Sequence, residues 1–190
     1  MSSHITSLCR SGYYHLRYLR GMIQSLTPDA TKTLVHAFIS SRLDYCNSLL
    51  FGVADQQLKR LQSVQNGAAR LVNAPIISLP VLKVLHWLPV RQRIQYKMAM
   101  LVHKCLYERA PEYLITDCCW AGSRRSGTRI YYSAGRQMLE VVRMNTSFGD
   151  RSYAAAAPHV WNGLADVVRN SALSEDAFAK LLKTYLMNYM

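Results

Sequence analysis

The sequence predicts a mainly α-helical protein: a helical bundle, further helices, and a small, partly β C-terminal region. Two observations carry this. Apolar residues recur at steps of three and four through most of the first 110 positions, the helical period. Gly, Ser and Arg then crowd residues 118–137, where that period is lost. At 190 residues with 50% hydrophobic content, the chain is long enough to bury a core and too apolar for wholesale disorder.

Each element has its own signature. Over residues 4–25, Ile5, Leu8, Leu16, Leu19 and Ile23 share one face, with Arg10, Tyr14, Arg17 and Gly21 on the other. Thr27-Pro28-Asp29 supplies an N-cap, a proline at the first helical position and an acid facing the helix dipole. The second helix is expected to run through Leu34, Phe38, Leu43, Cys46 and Leu50 and to stop at Gly52. Asp55 can cap a third helix, with Leu58, Leu61, Gln65, Ala68 and Leu71 along one stripe.

Two prolines interrupt "NAPIISLP" at residues 73–80. "VLKVLHWLPV" reads as a short apolar element ended by Pro89. From Val90 a helix carries Ile94, Met98, Leu101 and Cys105 inward, ending before Pro111. "CCWAGSRRSGTRIYYSAGRQ", without a single acid, reads as a loop with a short strand at residues 130–132. "QMLEVVRM" reads as a strand by its valines. "GDRSYAAAAPHVWNGL" turns and becomes helical, and Ser174 opens a last helix through Phe178, Leu181, Leu182 and Leu186.

Only 18% of residues are charged, yet the balance is +12 and the sequence pI is about 9.7. That imbalance points to an anionic partner. The longest stretch free of Asp, Glu, Lys and Arg, residues 152–165, is short and holds Pro158, so no membrane span is expected. The first residues lack the apolar run of a secretory signal, and five irregularly placed cysteines argue against a disulfide framework. An intracellular protein, cytoplasmic or nuclear, is expected.

"SRLDYCNSLLFG", residues 41–52, places polar and reactive letters together. Asp44 and Cys46 are two apart and do not face each other on a helix, and no histidine stands at helical spacing from Cys46. The segment therefore reads as scaffold, with Cys46 a small core residue and Asp44 a surface or inter-helix hydrogen-bonding group. Cys118-Cys119 and His103 with Cys105 lack zinc-site spacing, and no glycine-rich phosphate loop is present. Neither a cofactor nor a metal nor a small-molecule substrate is expected.

Basic residues interleaved with aromatics form the stronger pattern. Arg10, Tyr13, Tyr14, Arg17, Tyr18 and Arg20 lie in one helix, before the first acid, Asp29. Arg124, Arg125, Arg129 and Arg136 surround Tyr131 and Tyr132. Arginines grip phosphates and tyrosines stack on bases. Arg10, Arg17, Arg20, Arg124, Arg125 and Arg129 are the expected phosphate contacts.

"SRLDYCNSLL", "LQSVQNGAARL" and "LHWLPV", in this order with "LCRSGYYHLRYLRGMI" before and "FGDRSYAAAAPHVWNGL" after, resemble one family over about residues 5–187. The chain resembles the region downstream of the catalytic core in reverse transcriptases of LINE-type (non-LTR) retrotransposons, of the jockey-like and chicken-repeat-like kinds. The resemblance implies a thumb-like helical bundle over residues 1–73, a helical connector over 74–117, and a basic loop with the C-terminal region over 118–190. In that family two aspartates of an upstream F/Y-A-D-D motif hold the catalytic metals; this sequence has no such motif, so no catalytic residue carries over. The resemblance implies a non-catalytic fragment, a 5′-truncated copy starting at Met1, that binds RNA or RNA–DNA duplex. The rival expectation is an interaction relic that packs on another protein. Between "ARLVN" and "LPVLKVLHW" the family's longer polar insert is reduced to "APIIS", as in a decaying copy.

Overall fold

The computed structural model describes residues 1–72, 80–121, 138–146, 148–169 and 173–188. They are mainly helical, and they fall into two compact units, residues 1–94 and 95–189, with the division inside one helix.

In the first unit, α1 (Ser2–Met22) buries Ile5 and Leu19 of the face its period predicts and packs Leu8 and Leu16 half-buried beside them; Cys9 and Gly12, outside that predicted set, are buried as well. α2 (Pro28–Val35) starts at the expected cap, where the Thr27 hydroxyl accepts from the Ala30 N–H at 3.3 Å. It passes without a break through a π-helical turn, His36–Ser40, into the single turn α3 (Ser41–Asp44). α4 (Asp55–Val72) buries Leu61, Val64, Gln65, Ala68 and Ala69, and packs against α1. α5 (Pro80–Val84) is the short apolar element. α6 (Val90–Leu106) begins in this unit.

Three expectations for residues 28–52 are corrected. A π turn holds one residue more than an α turn, which rotates the residues beyond it about the helix axis. Phe38, expected on the apolar stripe with Leu34, is 40% exposed and Leu34 only half-buried, while Val35, Ile39 and Ser40 are buried: the buried face follows steps of four, which a π turn favours. The helix ends at Asp44, not Gly52: Tyr45 is extended, Cys46 takes the left-handed conformation at φ 50°, and a 3₁₀ turn spans Asn47–Leu50. Cys46 is therefore exposed, and not a core residue. Leu43 and Leu50 are buried as expected, reached from two separate turns.

Gln65 is a polar residue on an otherwise apolar stripe. Its amide donates to the Leu88 carbonyl at 2.8 Å, while the Gln62 carbonyl accepts from the Val90 N–H at 2.9 Å. Two glutamines of α4 thus satisfy backbone groups at the start of α6, where a helix leaves its first N–H groups without intrahelical partners. Arg93, on the first turns of α6, donates from Nη1 to both carboxylate oxygens of Asp44 at 2.9 and 2.8 Å, and from Nε to the Leu88 carbonyl at 2.7 Å. Asp44 is thus the inter-helix group its position suggested.

α5 and α6 end alike. His86 and Glu108 take positive φ, and the next residues donate back across the last turn (Trp87 to Leu82, Arg109 to Lys104, both 2.8 Å). This is the Schellman pattern, closed here by residues other than glycine.

The second unit holds the rest of α6, α7 (Glu112–Ile115), α8 (Tyr153–Asn162), α9 (Asp166–Arg169) and α10 (Glu175–Asn188). Trp161, Phe178, Leu182 and Leu139 fill its core. The Asn162 side chain clamps Leu139, accepting from its N–H at 2.8 Å and donating to its carbonyl at 2.9 Å. This clamp replaces a sheet. The strand expected in "QMLEVVRM" does not form: among the described residues the only β pairing is an isolated bridge, Trp120 with Leu139. A side-chain amide answers the backbone groups a neighbouring strand would have satisfied. The strand expected at residues 130–132 lies outside the described residues.

Candidate nucleic-acid interface

α1 and α4 approach closely because Gly12 and Gly67 sit at their contact. A Cβ added at Gly12 would meet Val64 Cγ1 at 2.6 Å, and one at Gly67 would meet Leu16 Cδ1 at 2.9 Å. Leucine and valine faces pack there, and the polar flank of each helix is left along one open groove.

Two clefts, of about 570 and 380 Å³, make up that groove. The Tyr13 and Ser63 side chains line both, hydrogen-bonded to each other at 2.9 Å, and so separate one cleft from the next. Arg10, Lys59 and Arg60 line the larger cleft; Arg17, Arg20 and Arg70 line the smaller. No Asp or Glu lines either one. Along α1 the cations from Arg10 to Arg20 span about 15 Å at the helical rise per residue.

The six cations differ in their tethers. Arg60 donates to Thr6 Oγ1 at 3.2 Å and to Gln57 Oε1 at 3.0 Å, which fixes its guanidinium at the rim. Among the described residues the ion pairs engage Arg91, Arg93, Lys104, Arg109 and Arg169, none of them a groove residue. The groove cations are thus left to attract an anion from outside. Cys9 lies in the floor of the larger cleft, where burial pushes its thiol up against the opposing influence of Arg60.

Of the six residues expected to touch phosphate, the structure brings Arg10, Arg17 and Arg20 together on one wall of the groove, all exposed or half-exposed. Arg124, Arg125 and Arg129 lie outside the described residues, as do Arg136, Tyr131 and Tyr132. Tyr13 and Tyr14 are 49% and 66% exposed, so both belong to the surface, a point their positions in the sequence left open. Lys59, Arg60 and Arg70, the opposite wall, were not among the expected contacts. The polar flank of the α4 stripe was the available signal, but nothing in the spacing says that it faces Arg10 and Arg17.

Elsewhere, burial disfavours the charged forms of three reactive side chains, Cys118, Tyr153 and His103. Tyr153 Oη lies 3.2 Å from Cys105 Sγ and 3.4 Å from Cys118 Sγ. Burial pushes the Cys118 thiol up to about 12 and raises the Tyr153 phenol too, so neither ionises near neutral pH. His103 stacks on Phe178 at 4.2 Å and is held below the usual histidine range, first by burial. Among the described residues, no three His, Cys, Asp or Glu side chains gather as a metal site would need, and no helix is long and apolar enough to cross a membrane.

No protein-family model, no curated protein and no solved structure matches the chain.

Proposed function

We propose that this protein is a non-catalytic fragment of a LINE-type retrotransposon reverse transcriptase that retains sequence-independent binding of RNA or RNA–DNA duplex. The observation that carries the binding is the α1–α4 groove, lined by six cations and no carboxylate. Counterion release from phosphates drives such binding, and it needs a clustered positive surface with no base contacts. The family assignment rests on the sequence resemblance of residues 5–187. A bundle of helices presenting a basic groove fits a part that holds nucleic acid for chemistry performed by another part of the polymerase. A compartment inside the cell is part of this reading, on the odd number and irregular placement of the five cysteines.

Binding of the whole chain to an RNA–DNA hybrid, measured by fluorescence anisotropy over a range of salt, tests the reading. Log K should fall linearly with log salt. Replacing Arg10, Arg17 and Arg20 by alanine should flatten the slope by roughly 2 to 3 units, nearly one per lost phosphate contact. Affinity should fall alike for unrelated sequences. An unchanged slope would remove the groove from the interface and leave a role in packing against another protein.

A further inference from the structure

The groove occupies one flank of α1, and a row of exposed rings continues from it. At 100° per residue, Arg10 and Arg17 mark the outer edge of the groove, Tyr14 lies beyond them and Tyr18 beyond Tyr14. Tyr14 is four residues from Arg10, three from Arg17 and four from Tyr18, the separations at which side chains are neighbours on a helix surface. Tyr14 and Tyr18 are 66% and 62% exposed. The row then crosses to the π-helical turn: the Tyr14 ring meets His15 edge-on at 5.4 Å, and His15 stacks on Phe38 at 5.3 Å. Phe38 lies within that turn and is 40% exposed.

We propose that this aromatic crest is a base-stacking subsite, and that the groove and crest together take an unpaired strand in preference to a duplex. The proposal rests on the nucleic-acid reading of the groove. Phosphates would lie along Arg10 and Arg17, and bases would turn outward over Tyr14 and Tyr18. The spacing selects the substrate. Four residues of helix separate the two tyrosines by about 6 Å along the axis. Bases in a duplex are about 3.4 Å apart and turned inward. Neighbouring bases that meet Tyr14 and Tyr18 must be unstacked from one another and free of a partner, which a single strand permits. Stacking of this kind tolerates any base, as every base has a π face.

The test compares a labelled oligouridylate, which does not pair with itself, with an RNA duplex, both bound to the full chain at one salt concentration. The unaltered protein should bind the oligouridylate more tightly than the duplex. Y14L with Y18L should weaken oligouridylate binding by about 30-fold or more, the loss of two stacked bases, and leave duplex binding unchanged. Y14F with Y18F keeps both π faces and should bind as the unaltered chain does. An oligonucleotide carrying 4-thiouridine should photocrosslink to Tyr14, Tyr18 or Phe38 of the unaltered chain, a readout independent of any variant. Tighter binding of the duplex, equal losses on strand and duplex, no loss on the strand, or crosslinks confined to other residues would each overturn the crest. Loss of binding to both probes on replacing Arg10, Arg17 and Arg20, with those crest results, would leave the groove standing without it. Failure of the unaltered chain to bind either probe would overturn both.

Discussion

Asp44 and Leu43 are adjacent in sequence and belong to different energetics. Leu43 is 7% exposed in the core of the first unit, so Leu43→Ala should cost about 2–5 kcal/mol, the transfer and cavity loss of a buried leucine. Asp44 is half-exposed, while the Arg93 side chain it receives is only 13% exposed. Asp44→Asn keeps an acceptor for Arg93 but removes the counter-charge from a largely buried guanidinium. The expected cost is about 1–2 kcal/mol, between a surface pair and a buried one. An exposed Asp44 with no partner would have cost less. Urea unfolding of both variants checks the order, and a larger loss from Asp44→Asn would make the ion pair, rather than the leucine, the anchor of this segment. Cys46 sits outside that contest, exposed at the left-handed end of the helix.

At the scale of elements, two glycines hold α1 and α4 at the distance that forms the groove, and they should respond differently to alanine. Within an exposed helix, Gly→Ala gains about 1 kcal/mol of propensity. At Gly12 the new Cβ would press at 2.6 Å on Cγ1 of Val64, a β-branched side chain with little rotamer freedom. Overpacking of that kind typically costs about 1–3 kcal/mol, so Gly12→Ala should be destabilising on balance. At Gly67 the obstacle is the tip of Leu16, itself only half-buried, which can turn aside. Gly67→Ala should be neutral or slightly stabilising. Thermal unfolding measured by circular dichroism separates the two, and a stabilised Gly12→Ala would mean that the helices part more readily than their packing implies. The π turn makes a related point. The ladder of α2 and α3 stays helical throughout, yet its buried face runs through Thr31, Val35, Ile39 and Leu43, every fourth residue, and leaves Phe38 outside the core.

For the whole molecule, the charge is unevenly shared. Residues 1–94 hold 11 Lys and Arg against 3 Asp and no Glu, a net +8 of the chain's +12. Two of those three aspartates, Asp44 and Asp55, are paired to Arg93 and Arg91. The positive field therefore concentrates in the unit that carries the groove, which raises the rate of encounter with a polyanion. Chemistry is another matter. Given a primed RNA template, deoxynucleotides and Mg²⁺, the purified protein should extend no primer, as two-metal catalysis needs clustered carboxylates to hold both ions. Gel analysis of the labelled primer checks this, and extension by protein free of contaminating polymerase would overturn the non-catalytic reading.

The sequence by itself determined the helical class, the starts of α2, α4, α6 and α10, and the apolar faces of α1 and α4. These come from local rules: the 3.6-residue period, caps, and prolines that forbid a helix interior. It also determined that one flank of α1 is basic and free of acid. The tertiary structure alone decided where the second helix ends, since a left-handed residue at Cys46 competes with Gly52 and is held by the burial of Asn47 and Leu50 on its far side. It decided that Gln62 and Gln65 serve the start of α6, and that Asn162 stands in for a strand against Leu139. It decided, above all, that Lys59, Arg60 and Arg70 face Arg10, Arg17 and Arg20. Periodicity assigns a residue to a face of its own helix, whereas the partner of that face is set by packing between residues some fifty positions apart, here Gly12 against Val64.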